Sequence, residues 1–285
     1  MAPVPAPTAI RYRATIEYDG ADFSGYQVQP SVRTVQGTIE AHLERLLDCS
    51  VRVHAAGRTD SGVHAVAQEI MFDALPPWNA EDLSRALNSL LPDDILIRQI
   101  QRSAPAFHPR FDATGRRYEY YVGPPTTGPL RTARVWAPND VPDLERLQEA
   151  SALLIGRRSF AALSKAGQPE LGTECVIERA EWIRTHLGDF RFMIVADRFL
   201  HRMVRYVVGT LVDVGIGRRD MEDWAGLLGG KESKPPEPAP ARALYLTGVR
   251  YADGWNRCPG VPGLWSESDS DRADCTKRDA ATETA

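Results

Sequence analysis

The chain has 285 residues, of which 43% are hydrophobic and 25% charged, with a formal net charge of −4. That composition excludes collagen, coiled coil and wholesale disorder, and no run approaches the ~18 consecutive apolar residues of a membrane-spanning helix. The last twenty residues hold six acids and three bases, so the body of the chain is close to neutral, and local clustering of charge matters more than the total.

In chain order, residues 1–10 open on Met1-Ala2-Pro3-Val4-Pro5-Ala6-Pro7, which lacks the basic and apolar stretches of a signal peptide. They read as a flexible Pro-rich tail and leave a cytoplasmic setting as the expectation. Arg11 to Tyr18 alternates cleanly, with Tyr12, Ala14, Ile16 and Tyr18 on one face, which predicts a half-buried strand. Thr34 is placed to cap a helix with the apolar stripe Val35, Ile39, Leu43, Leu46 and Leu47. Val51–Ala55 and Val66–Phe72 read as strands around a Gly-rich turn. Asn79 caps a second helix that stops at Pro92, and Ile95–Ile100 follows as a strand.

The second half repeats the plan. Arg116–Val122 is a strand and Pro142–Leu154 a helix, with Pro at its start and Gly156 beyond its end. Cys175–Trp182 and Phe190–Ala196 are strands around Leu187-Gly188-Asp189. Phe199–Val214 is a helix, Met221–Leu228 a shorter one, and Leu244–Tyr251 closes the set. The prediction is an α+β protein of two tandem β-α-β-β-α-β units, an N-terminal one over 11–104 and a C-terminal one over 105–255. Lys231–Pro240 reads as a Pro-rich loop, and 256–285 as a disordered acidic tail.

Cys49, Cys175, Cys258 and Cys275 are far apart, with no C-x-x-C pair or Cys/His cluster, so free thiols and no zinc site are expected. All but four of the 34 basic residues are arginine, a skew that genome base composition explains more readily than function, although arginine is the better side chain for bidentate phosphate contacts and for stacking on bases. Three stretches could carry chemistry. In Gly57–Ala65 (GRTDSGVHA), two glycines bracket Arg58 and Asp60 between strands, with Arg58 near enough in sequence to pair with the carboxylate. Spacing alone favours a plain Asp-Ser-Gly turn there, and His64 reads as a packed or solvent-facing histidine. In Phe107–Tyr120 (FHPRFDATGRRYEY), Arg110, Arg116 and Arg117 interleave with Tyr118 and Tyr120, a pattern shared by base-stacking RNA-binding sheets and by ordinary Tyr-rich strands. In Phe199–Gly215 (FLHRMVRYVVGTLVDVG), helical spacing sets Arg198, His201, Arg202 and Arg205 opposite the apolar stripe, either as a phosphate-facing surface or as a solvated one.

Taken together, these stretches resemble the signatures of the TruA-type tRNA pseudouridine(38–40) synthases, as do IEYDGADFSGYQ, SVRTVQGTIEAHL and ALYLTGVRY. The resemblance runs from about Tyr12 to Tyr251. It implies the pseudouridine synthase fold, with both units sharing a mainly antiparallel sheet and a central cleft. It implies that Asp60 is the catalytic aspartate and nucleophile, Arg205 its partner, and Tyr118 the stacking residue and a candidate acceptor of the uracil C5 proton. Arg58 would help displace the target base and Leu244 would line its pocket, with Arg116, Arg117 and Arg202 as further RNA contacts. It implies uridines 38, 39 and 40 of the tRNA anticodon stem-loop as targets, a homodimer as the working form, and no metal or organic cofactor. Tyr26 stands where the family usually has Trp, Ala243 where Gly is common, and Ser61 where Ala is common. The alternative on the same fold is a tRNA-binding or chaperone protein without catalysis.

Overall fold

The computed structural model describes residues 8–165, 172–231 and 236–256. The expectations for most of the N-terminal tail, for part of the 231–240 loop and for the tail beyond Asn256 lie outside the described residues. The first half contributes β1 (Ile10–Tyr18), α1 (Val35–Leu47), β2 (His54–Ala55), β3 (His64–Ala74), α2 (Ala80–Leu90) and β4 (Ile95–Arg102). The second contributes β5 (Gly115–Val122), α3 (Pro129–Thr132), α4 (Leu144–Ala152), β6 (Gly156–Ser159), β7 (Glu174–Arg184), β8 (Phe190–Ala196), α5 (Met203–Gly215), α6 (Met221–Leu228), β9 (Leu244–Tyr251) and β10 (Gly254–Trp255).

The caps sit where the side chains require them. Thr34 Oγ1 accepts from Gly37 N–H, and Asn79 Oδ1 accepts from Asp82 N–H, each satisfying a donor at a helix start. Asp143 caps α4 by accepting from Arg146 N–H, so Pro142 lies just outside a helix that is shorter than the expected 142–154. The strand expected at 51–55 shrinks to β2. Its Val53 gives its carbonyl to Gln36 Nε2 (3.0 Å) and its N–H to the Glu40 carboxylate (2.9 Å), both on α1, so the segment bonds to helix side chains and not to a neighbouring strand. The helix expected from Phe199 begins at Met203, because Arg202 adopts a left-handed backbone (φ 62°) that ends helical geometry there.

All ten strands join one sheet, along the path β4-β1-β3-β9-β5-β8-β7-β6, with β2 on β3 and β10 on β9. Within each unit the strand order is the same: β4-β1-β3-β2 in the first and β9-β5-β8-β7 in the second. Every pairing between strands is antiparallel except the joint between units, where His64 and Ala65 of β3 run parallel to Tyr245 and Leu246 of β9. One core spans both units, with Tyr12, Ile16, Phe72, Tyr120, Phe192 and Trp182 of the sheet in one cluster with Leu43, Leu87, Leu147, Val207 and Trp224 of the helices. On the opposite sheet face, Val66, Tyr121 and Tyr245 pack beneath Val135 at the joint. No helix among the described residues is long and apolar enough to cross a membrane.

Helix α5 is approached very closely by the segment before β9. A Cβ on Gly209 would lie 2.2 Å from the Glu237 carbonyl oxygen, so only glycine fits. Gly209→Ala should therefore cost about 2 kcal/mol or more, roughly 4–8 °C in Tm, as overpacking does. Gly128→Ala, with nothing within 4 Å of the new methyl, serves as the control and should leave Tm unchanged. Equal melting of both variants and the parent would contradict the packing described.

Candidate active site

The loop between β2 and β3 is held from below by the turn after β1. Tyr18 Oη lies 2.8 Å from Thr59 Oγ1, and Tyr26 N–H donates to Thr59 O at 3.0 Å. Gln68 Nε2 donates to Gly57 O, and Val63 N–H closes the turn on Asp60 O at 3.2 Å. Gly20 is required by this contact, since a Cβ there would sit 2.0 Å from the Val63 carbonyl. Thr59 points inward to Tyr18, and Asp60 is left projecting from a rigid platform with its side chain 16% exposed.

Two residues from the other unit meet that carboxylate. Arg205, in the first turn of α5, reaches Asp60 Oδ2 with Nη1 at 3.4 Å while its Nε donates to the Ala239 carbonyl at 2.8 Å. His201, in the turn before α5, places Nε2 at 3.3 Å from Asp60 Oδ1. Both carboxylate oxygens thus face a nitrogen. Tyr118 is buried on β5, with Phe199 set edge-on to it at 5.1 Å between ring centroids. Burial, with Tyr18 and the Asp60 charge adding to it, holds the Tyr118 phenol well above its ordinary pKa, so the hydroxyl keeps its proton. Leu244, the first residue of β9, is buried in the main core one position before the joint.

The structure therefore brings Asp60, Arg205, Tyr118 and Leu244 to one region at the joint, together with Phe199 and His201. It corrects the expected Arg58–Asp60 pair. Arg58 is exposed and forms no ion pair among the described residues, because the inward turn of Thr59 sends its neighbour outward. Arg202 stands at the left-handed start of α5, partly exposed. Arg116 spends its guanidinium on four carbonyls, those of Ala56, Arg110, Ala113 and Asp197, and burial lowers its pKa. Arg117 lies on the other sheet face, where it donates to the Thr247 hydroxyl and carbonyl and packs on Trp255. Local spacing gave no sign of the His201 contact, since it arises where the expected helix is broken.

His64 is neither a ligand nor solvent-facing. It is buried at the joint, stacked on Tyr245 with ring centroids 4.7 Å apart, and contacts Asp19, Gly20 N–H and the Arg242 carbonyl. It thereby links the start of β3 to the residues that lead into Leu244.

A family model described as tRNA pseudouridine synthase matches residues 14–112 and 150–252. The tRNA pseudouridine synthase A of Chlorobaculum tepidum is 40% identical over 83% of this chain and 96% of its own. That of Pseudothermotoga lettingae is 38% identical over 85% of this chain and 99% of its own, and that of Neisseria gonorrhoeae is 38% identical over 89% and 94%. These matches make the chain an isomerase of the pseudouridine synthase class. The chain belongs to the tRNA pseudouridine synthase family.

Burial pushes the His64 imidazole below its ordinary pKa, against the opposing pull of Asp19. The neutral ring is the folded form, whereas the unfolded chain takes up a proton below a pH of about 6.5. Stability from this group is complete above that pH and is lost as pH falls through the lower folded value. Wild type should lose more Tm between pH 7.5 and 5.5 than His64→Gln does. Parallel losses in the two proteins would remove His64 as the source.

Proposed function

We propose that the protein isomerises uridine to pseudouridine in tRNA, at positions 38, 39 and 40 of the anticodon stem-loop, with Asp60 as the nucleophile. The observation that carries this reading is the meeting of Asp60 from one unit with Arg205 from the other, 3.4 Å apart beside the Tyr118 ring. The printed names of the relatives support tRNA as the substrate. The reaction breaks the N1–C1′ bond and joins C5 to C1′. C5 gives up its hydrogen as a proton, and N1 gains one. A carboxylate is suited to attack C1′ or C6 of the bound nucleotide, or to abstract a sugar proton on a glycal-type path, and we assign Asp60 the nucleophilic role. Arg205 orients that carboxylate. Tyr118 supplies the stacking wall, and Leu244 the apolar edge of the pocket. The uridine must leave its stack, at a cost of a few kcal/mol. Exposed Arg58, on the same loop as Asp60, is the residue we assign to its displacement. Arg116 and Arg117 are engaged with main-chain carbonyls and with Thr247, and we leave them out of the RNA contacts we assign. The family resemblance, in which two subunits share one tRNA, supports a homodimer acting in the cytoplasm.

The test is tritium release from an unmodified tRNA transcript labelled at uracil C5. Wild type should release tritium. Asp60→Asn should release none while its tRNA affinity stays within about twofold and its fold is unchanged. Full release by Asp60→Asn would sink the assignment of the nucleophile. Binding by wild type without release from any of several tRNAs would instead favour a protein that only binds RNA.

A further inference from the structure

Phe111 is 73% exposed, although the loop that carries it is tightly built. Asp112 N–H donates to the His108 carbonyl, and the Asp112 carboxylate accepts from His108 N–H at 2.9 Å. The Tyr251 hydroxyl donates to the Pro109 carbonyl at 2.9 Å, and Arg116 to the Arg110 carbonyl at 2.8 Å. A phenylalanine held in water by such a loop forgoes the stabilisation that burial would give.

The ring has company. His108 lies against it with centroids 4.4 Å apart and tilted by 35°, and His54 stands edge-on to His108 at 5.3 Å. The Arg110 guanidinium is 5.9 Å from the Phe111 centroid, and both residues are exposed. Arg110 N–H donates to His108 Nδ1, which makes Nδ1 an acceptor. The Asp112 carboxylate, also exposed, is turned back on its own loop by accepting from His108 N–H, and the cation beside the ring is Arg110. The row is also tied to the site. One buried guanidinium, that of Arg116, bridges the Arg110 carbonyl to the Ala56 carbonyl, four residues before Asp60.

We propose that Phe111, backed by His108 and flanked by Arg110, is a stacking platform for an unpaired base of the RNA substrate, held at fixed geometry to the Asp60 loop. An exposed ring beside a cation matches a nucleobase on its phosphate backbone, because every base offers a π-face and each phosphate a charge. The occupant is a base outside the catalytic pocket, since that pocket already has Tyr118 as its wall. The inference rests on the tRNA reading given above.

The experiment compares wild type, Phe111→Ala, Phe111→Trp and Arg110→Ala for binding of one unmodified tRNA transcript across a salt series, with tritium release in parallel. Phe111→Ala should weaken binding by about 5- to 100-fold, the usual worth of one stacked base, without changing the salt slope. Phe111→Trp should restore affinity. Arg110→Ala should lower the slope by about one, as loss of a phosphate contact does. Tm should be unchanged in Phe111→Ala, because the ring is not part of the core. If Phe111→Ala binds as tightly as a wild type that binds and isomerises, the platform falls and the function stands. A wild type that does neither takes down the function and the platform with it. Should Phe111→Ala change the sedimenting species and leave RNA affinity alone, the face belongs to a second copy of the chain and the proposal is overturned.

Discussion

The molecule depends on a very short piece of parallel sheet. His64 and Ala65 face Tyr245 and Leu246, and this contact makes one sheet of two units with the same strand order. It exists because β2 is only two residues long and covers the far end of β3, at Ile70 and Met71. At its start, on the side away from the joint, β2 is ended by Gln36 and Glu40 of α1, which claim the polar groups of Val53. A β2 continued past Ala55 would run along β3 toward His64 and occupy the edge that β9 needs. The consequence for the site is direct: Asp60 precedes the joint on one strand, and Leu244 precedes it on the other.

Around that joint, each functional side chain is fixed by a group that takes no part in the chemistry. Thr59 and Val63 anchor the Asp60 loop to the turn after β1. The Ala239 carbonyl holds Arg205, and the bare Cα of Gly209 lets that segment come close enough to do so. Arg116 ties the Ala56 strand, the 110–113 loop and the Asp197 turn together through main-chain carbonyls. A buried guanidinium whose N–H groups are used this way acts as an internal rivet, and its removal would leave several carbonyls unsatisfied at once. Rigid supports of this kind are what let a carboxylate and an arginine from different units meet without adjustment when substrate arrives.

Much of the frame was legible in the sequence, because local rules and tertiary outcome agree there. The alternation of β1, the Thr34 and Asn79 caps and the repeated β-α-β-β-α-β order all survive in the structure. β6 left no trace, since Gly156-Arg157-Arg158-Ser159 is an edge strand without apolar alternation. The early start given to α5 failed at Arg202, whose left-handed backbone no hydrophobic period can signal. The site was less legible still. Asp60 and Arg205 are 145 residues apart, and nothing local in either segment announces the other. Spacing alone made the Asp60 loop a turn, and the family resemblance lifted it above that. Interleaved arginines and tyrosines likewise could not tell a guanidinium that faces phosphate from one, such as Arg116, that faces carbonyls.

The central claim is that Asp60 and Arg205 act as one unit across the joint. A double-substitution cycle tests it most directly, with single-turnover rates of C5 tritium release measured for Asp60→Glu, Arg205→Lys and the pair. Residues that work as a unit lose their function together, so the pair should be no slower than the slower single variant. Rate losses that multiply would show two independent contributions and contradict the account.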